Sequence, residues 1–324
     1  MKRRTVLQLA AAMLATPGGA FAQARTYRMS YLGGSSAAAS APLQKVFFAR
    51  LEELGYREGR NLVVDRRFAE GNLGRLPALA AELVALKPDV LFAVTSPPAL
   101  AALKATSTIP VVFAAVSDPV SVGIVKNLAR PGMNATGVSS QNADLQGRRL
   151  QIVREVFPAA ARVAVLHNPL NAAELPIVAS LQEAGKKLGL ALRVIELKSE
   201  HDFDPAFKAI EAGQPNLLYV IESSFTYLHR ARIVEFANSR RLPGMYGLAD
   251  FADVGGLMSY SFNLIEQYRA AATYIDRILK GAKPAELPVE QPTRFELVLN
   301  LKTAKALGVR FPRALLLGAD RVIE

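Results

Sequence analysis

The sequence contains no cysteine and no tryptophan among its 324 residues, and only three histidines. Without cysteine the chain has no disulfide framework, no thiolate metal site and no cysteine that could carry a lipid anchor after the signal. His167, His201 and His229 lie far apart, without the spacing of metal ligands. We therefore expect neither a metal nor another cofactor.

Long apolar runs and the common nucleotide-binding motifs are also missing. After the N-terminus no segment reaches the roughly 18 uninterrupted apolar residues that a membrane-spanning helix needs. Gly33-Gly34-Ser35-Ser36 lacks the third glycine of G-x-G-x-x-G, and neither a phosphate-binding G-x-x-x-x-G-K-[ST] loop nor a G-x-S-x-G elbow occurs. These absences disfavour dinucleotide-dependent enzymes, P-loop proteins and serine hydrolases.

The first residues have the composition of an export signal. Lys2, Arg3 and Arg4 precede an apolar stretch over residues 6–15, and Ala20-Phe21-Ala22 has the small residues of a cleavage site. This pattern predicts a signal peptide over residues 1–22 and a periplasmic protein that is not lipid-anchored. The paired arginines partly fit a twin-arginine signal, so both export routes remain open.

The formal net charge is +11, and it falls to +8 when the three basic residues of the signal peptide are removed. Lysine and arginine are spread along the whole chain and mixed with acidic residues, as in Arg57-Glu58-Gly59-Arg60. Because the predicted address is periplasmic, we interpret the charge as a solvated basic surface and expect no nucleic-acid partner.

Apolar strand-like runs alternate with helix-like runs, and the pattern occurs twice. The first unit has predicted strands at 27–32, 62–68, 89–94, 111–116 and 135–139, with helices at 42–54, 75–87, 97–106 and 120–128. The second has strands at 163–166, 192–197, 217–221, 244–247 and 256–261, with helices at 172–188, 205–212 and 226–241. Buried strands separated by helices predict an α/β fold with two similar, doubly wound parallel-sheet lobes.

The C-terminal part is expected to cross between these lobes. A helix is predicted at 264–279 and a strand at 295–300, after a spacer with three prolines over residues 281–292. Segments near 137–142, 260–264 and 292–300 are the candidate crossings of a three-segment hinge. The predicted N-terminal lobe is 27–138 plus 264–292, and the C-terminal lobe is 139–263 plus 293–324.

Several motifs resemble the family of ABC transporter substrate-binding proteins of periplasmic-binding protein type I fold. They begin with Leu54-Gly55-Tyr56-Arg57-Glu58-Gly59-Arg60-Asn61 and Ser117-Asp118-Pro119, and continue with Gly255-Gly256-Leu257-Met258-Ser259-Tyr260 and Phe295-Glu296-Leu297-Val298-Leu299-Asn300. The resemblance covers nearly the whole chain after the signal. It implies a non-enzymatic protein that closes on a solute and passes it to an ABC permease; some members bind aromatic amino acids.

Candidate ligand-binding residues follow from the two-lobed architecture. In α/β sheets, ligands bind beyond the carboxyl ends of the strands, so loops after the strands should line a shared cleft. In the first lobe these loops carry Ser35, Ser36, Thr95, Ser96, Ser117 and Asp118. Thr95 and Ser96 precede a helix that starts with two prolines, and we expect their amides and hydroxyls to receive an anion or to cap the helix.

The second lobe supplies Asn168, Glu222, Ser223 and Asp250. Glu222 ends a buried strand and needs a cationic partner, for which a ligand ammonium, Arg230 and Arg232 are the alternatives. Tyr31, Phe225, Tyr227, Tyr246 and Phe251 lie in or near the loops, and we expect at most two of them to contact a ligand.

The sequence therefore predicts a monomeric binding protein that captures a small polar ligand, with an amino acid that is aromatic or branched as the preferred class. An ABC permease is its expected partner. Two alternatives remain open: a two-lobed sugar-processing enzyme that uses the carboxylates of the cleft, and a receptor that presents its ligand to a signalling partner.

Overall fold

The computed structural model describes residues 25–324, and the predicted signal peptide lies outside them. The first sheet is parallel, with the strand order β2-β1-β3-β4-β5. Its strands are β1 (Tyr27–Gly33), β2 (Leu62–Phe68), β3 (Val90–Val94), β4 (Val111–Val116) and β5 (Ala135–Ser139). The central strands are buried on both faces, which explains why they read as continuous apolar runs.

Four helices cover this first sheet. They are α1 (Ala37–Glu53), α2 (Leu76–Ala85), α3 (Ser96–Ala105) and α10 (Leu264–Leu279). Helices α1 and α10 pack together on one face, and α2 and α3 pack together. An aromatic cluster fills the space below α1 and α10, where the ring of Phe47 stacks on Phe92 at 4.4 Å and Tyr268 meets Phe92 edge-on at 5.8 Å.

The second sheet has the order β12-β11-β10-β9-β8-β6-β7, and its strands are parallel except for the antiparallel pair β10 and β11. The strands are β6 (Arg162–His167), β7 (Ala191–Glu196), β8 (Leu217–Val220), β9 (Gly244–Tyr246), β10 (Met258–Phe262), β11 (Phe295–Asn300) and β12 (Arg321–Ile323). Its helices are α4 (Gln146–Val156), α5 (Glu174–Lys187), α6 (Phe203–Gly213), α7 (Ser224–Leu228), α8 (Arg230–Ser239), α9 (Ala249–Asp253), α11 (Leu301–Leu307) and α12 (Arg313–Leu317).

The chain passes between the two sheets three times. It leaves the first sheet after β5, returns from β10 into α10, and leaves again before β11. The amide of Glu290 donates to the carbonyl of Gly137 at 2.9 Å, so the third passage runs beside β5. The fold is thus the predicted pair of α/β lobes connected by three segments.

Two predicted helices differ from the structure, and a further helix was not predicted. Residues 120–128 form turns, because Gly123 has a left-handed φ of 75° and the amides of Ile124 and Val125 both donate to the carbonyl of Pro119. The predicted helix 226–241 is two helices, α7 and α8, since the backbone at His229 leaves the helical conformation. Helix α4 was not predicted at all, because its buried face includes the polar residues Gln146 and Arg149.

Candidate functional site

A cavity lies between the two lobes. Loops at the carboxyl ends of β1, β3, β4 and β8 form its walls, together with the first turns of α5 and α10. Six predicted site residues line it: Ser35, Thr95, Ser96, Ser117, Glu222 and Ser223.

The N-terminal lobe contributes hydroxyl groups that have no partner of their own. The Oγ atoms of Ser35 and Ser117 are buried without a hydrogen-bond partner among the described residues. Buried polar atoms are usually hydrogen-bonded, so unpaired hydroxyls in a cavity wall are suited to binding a polar ligand group.

Thr95 has a backbone conformation that is nearly restricted to glycine, with φ 74° and ψ 170°. Such strain costs about 1–3 kcal/mol and concentrates at binding sites. The predicted anion site after β3 is smaller than expected, because Pro97 and Pro98 have no amide hydrogen and only the amide of Ser96 remains in the first turn of α3.

In the C-terminal lobe, Glu222 is paired with an arginine that the sequence argument missed. Two nitrogens of Arg149 donate to its carboxylate at 2.8 and 3.1 Å. Of the three alternatives for the partner of Glu222, the two arginines are ruled out, since Arg230 donates to the carbonyl of Tyr227 and Arg232 to Asp204. Arg149 lies on α4, a helix that was not predicted because its buried face carries polar residues.

Arg149 also connects the strands and loops of the cleft face. It is 0% exposed, and it donates to the carbonyls of Tyr260 and Gly247 and to Oδ1 of Asn142. Burial alone would lower the pKa of Arg149, but the carboxylate of Glu222 and the phenol of Tyr219 together outweigh this effect and the pKa is raised. The guanidinium therefore stays charged and fixes three loops around the cavity.

A second buried carboxyl group in the wall, Glu174 at the start of α5, was also missed. Its Oε2 accepts a hydrogen bond from the amide of Asn168 at 2.7 Å, and its Oε1 accepts one from Nδ2 of Asn171 at 3.1 Å. Burial raises the pKa of Glu174 to about 8. In the sequence, only the position of Glu174 after the loop that follows β6 indicated that it could line the cavity.

Aromatic side chains form the wall on the side of α1 and α10. Tyr31, Tyr227, Phe262 and Tyr268 line the cavity, together with Leu43. The hydroxyls of Tyr31 and Tyr268 lie 3.4 Å apart. Burial raises the pKa of both phenols, so they remain protonated and act as neutral polar groups in an apolar wall.

The remaining predicted residues lie outside the cavity lining. Ser36 caps α1 by accepting from the amide of Ala39, and Asp118 accepts from two backbone amides of its own turn. The Oδ1 of Asn168 accepts from the amide of Leu170, and Asp250 accepts from the hydroxyl of Tyr227 at 3.1 Å. The aromatic rings of Phe225, Tyr246 and Phe251 are buried in the core.

The two lobes touch directly at the mouth of the cavity. The hydroxyls of Thr95 and Ser224 lie 3.2 Å apart, across the cleft. Gly34 packs so closely on Ser224 that a Cβ atom at position 34 would lie 2.5 Å from its Oγ. The structure therefore represents a closed arrangement of the lobes.

The fold and this interlobe cavity define a two-lobed ligand-binding protein. The chain belongs to the family described as ABC transporter substrate binding protein, whose model matches residues 42–323. Within residues 25–324, no helix combines the length and apolar character that a membrane-spanning segment requires.

Similar proteins have related names and folds. The chain is 26% identical over 267 residues to a tyrosine-binding protein of Clostridioides difficile, covering 82% of this chain and 76% of that one. A conserved domain protein from Vibrio cholerae is 28% identical with a TM-score of 0.85, covering 92% and 100% of the two chains. A Streptococcus pneumonia domain in complex with L-Trp is 24% identical, with the same coverage and TM-score.

Proposed function

We propose that this chain is the periplasmic solute-binding component of an ABC importer and that it binds an aromatic amino acid, tyrosine or tryptophan, between its lobes. The observation that carries the proposal is the composition of the cavity wall. One side is aromatic, with Tyr31 and Tyr268, and the rest carries unpaired hydroxyls and a buried carboxyl group. The planar side chain of an aromatic amino acid suits the aromatic side, and its charged ammonium and carboxylate groups suit the polar side.

The relatives favour the same ligand class. One relative is a tyrosine-binding protein, and one structural neighbour holds L-Trp. The hydroxyls of Ser35 and Ser117 are suited to the ligand carboxylate, and both lie in the N-terminal lobe. A ligand that also contacts the C-terminal lobe stabilises the closed state by its differential affinity for the two arrangements.

The closed protein then presents both lobes to a membrane permease, and the ligand is delivered chemically unchanged. We expect it to act as a monomer. The family description supports binding over the alternative of a sugar-processing enzyme. The enzyme alternative relied on the predicted cleft carboxylates Asp118, Glu222 and Asp250. Of these, Asp118 and Asp250 lie outside the cavity lining.

The absence of tryptophan from the chain makes a direct assay possible. Mature protein, from Gln23 on, is unfolded and refolded to remove copurified ligand, and is then titrated into L-tryptophan. Because the protein has no tryptophan, all indole emission comes from the ligand. L-tyrosine, L-phenylalanine, L-leucine, galactose and benzoate are tested as competitors. We expect displacement by L-tyrosine and no displacement by galactose. Failure of every amino acid to bind would refute the proposal.

Thermal unfolding gives an independent readout. An amino acid present at a hundredfold excess over its dissociation constant should stabilise the protein by about 2.7 kcal/mol. An enzyme would consume the ligand, so chromatography after incubation distinguishes the two functions. Recovery of the intact amino acid is the expected result.

A further inference from the structure

The carboxyl group of Glu174 is isolated from positive charge inside the ligand cavity. Its side chain is 1% exposed, and its hydrogen-bond donors, the Asn168 amide and the side chains of Asn171 and Ser223, are all neutral. No lysine or arginine is among the described residues that line the cavity. The group therefore differs from Glu222, whose charge Arg149 balances.

Two titratable groups face Glu174 from neighbouring elements. The Nδ1 atom of His167, at the end of β6, lies 3.9 Å from its Oε2, and burial lowers the pKa of this histidine, so it is neutral at pH 7. Glu222 follows β8 and raises the pKa of Glu174 further. The elements packed against α5 also carry the exposed Asp144 and Glu196, with Glu196 paired to Lys198, and α4 carries the buried Arg149, which is paired with Glu222.

We propose that Glu174 binds the ammonium group of the ligand and releases its own proton to solvent when the ligand enters. This inference rests on the proposed function, because it requires an amino acid in the cleft. The ligand arrives as an ammonium ion and keeps its three protons. The carboxyl group of Glu174 becomes a carboxylate, so one proton leaves the protein and no covalent bond changes.

The geometry fixes the sign of the pH dependence. In the closed arrangement without ligand, burial disfavours the charged carboxylate and raises the pKa of Glu174 to about 8. In the complex, an adjacent ammonium favours the carboxylate and lowers this pKa. We therefore expect binding to remove a proton at pH 7, and the affinity to rise from pH 6 to pH 7.

Isothermal titration of L-tyrosine and L-tryptophan at pH 7, in phosphate and in Tris, measures the number of protons exchanged. We expect close to one proton released, seen as a difference in apparent enthalpy between the two buffers. The analogue 3-(4-hydroxyphenyl)propionate, which is L-tyrosine without its amino group, should release none. Binding of both amino acids with no proton exchange would overturn the inference.

Glu174→Gln keeps the shape of the side chain and removes its titration. We expect it to weaken L-tyrosine binding roughly tenfold to a hundredfold and to abolish proton release. Glu183→Gln is the matched control, on the exposed face of the same helix, and should change neither property. Unchanged affinity for L-tyrosine in Glu174→Gln would reject the role of Glu174 but leave the proposed function standing. If the wild-type protein gives no heat of binding with any amino acid, the proposed function itself is rejected.

Discussion

Replacing Arg149 by methionine should destabilise the protein strongly. The substitution leaves the Glu222 carboxylate, 7% exposed, without its cation, and it removes five hydrogen bonds. Breaking a buried ion pair by removing one partner costs about 3–5 kcal/mol. That is a large share of the roughly 5–15 kcal/mol that stabilises a typical domain.

Urea unfolding followed by circular dichroism measures the loss. Arg148→Met is the matched control on the same helix, because Arg148 is 45% exposed and pairs with an equally exposed Glu155. An exposed pair of this kind contributes about 0–1 kcal/mol. We therefore expect the two neighbouring substitutions to differ by at least about 2 kcal/mol.

A second substitution tests the cause. Glu222→Gln should destabilise the wild type, where it disrupts the pair, and should stabilise Arg149→Met, where it removes an unpaired buried charge. This reversal of sign is specific to the electrostatic explanation. Equal effects of Glu222→Gln in both backgrounds, or a cost of Arg149→Met no larger than that of Arg148→Met, would refute the reasoning.

Two further substitutions test the cleft. Gly34→Ala places a methyl group 2.5 Å from Oγ of Ser224 in the closed form alone, so titration should show an affinity for L-tryptophan that is lowered roughly tenfold, while the free energy of unfolding is unchanged. An added Ser224→Gly should recover part of the lost affinity. Wild-type affinity in Gly34→Ala would contradict the closed contact. Asp118→Ala removes the acceptor for two turn amides and should lower the free energy of unfolding in urea by about 1 kcal/mol. The affinity for L-tryptophan should not change. A large loss of affinity would place Asp118 in the site.

The parts of the fold that the sequence predicts best are those whose pattern reflects burial directly. Strand β4 is a continuous apolar run and α10 has an apolar face, and the predicted bounds of both agree with the structure. Residues 120–128 bury Ile124 and Val125 in turns and not in a helix, so the apolar side chains there did not indicate the right local structure.

The candidate site was predictable where it depends on strand ends, and less so where it depends on pairing between distant elements. Serine and threonine hydroxyls after β1, β3 and β4 line the cavity because parallel strands end at one edge of the sheet. Arg149 is 73 residues from Glu222, and no local pattern connects them. Glu174 lies within the first turn of a helix, where an acidic residue is usually a solvated one.

Small-angle X-ray scattering of the refolded protein, with and without L-tryptophan, tests the central claim most directly. If the lobes close on the amino acid, the ligand-free protein should be more extended, and saturation should reduce its radius of gyration to the value calculated for the closed arrangement. Identical curves with and without a demonstrably bound amino acid would contradict closure of the two lobes around the ligand.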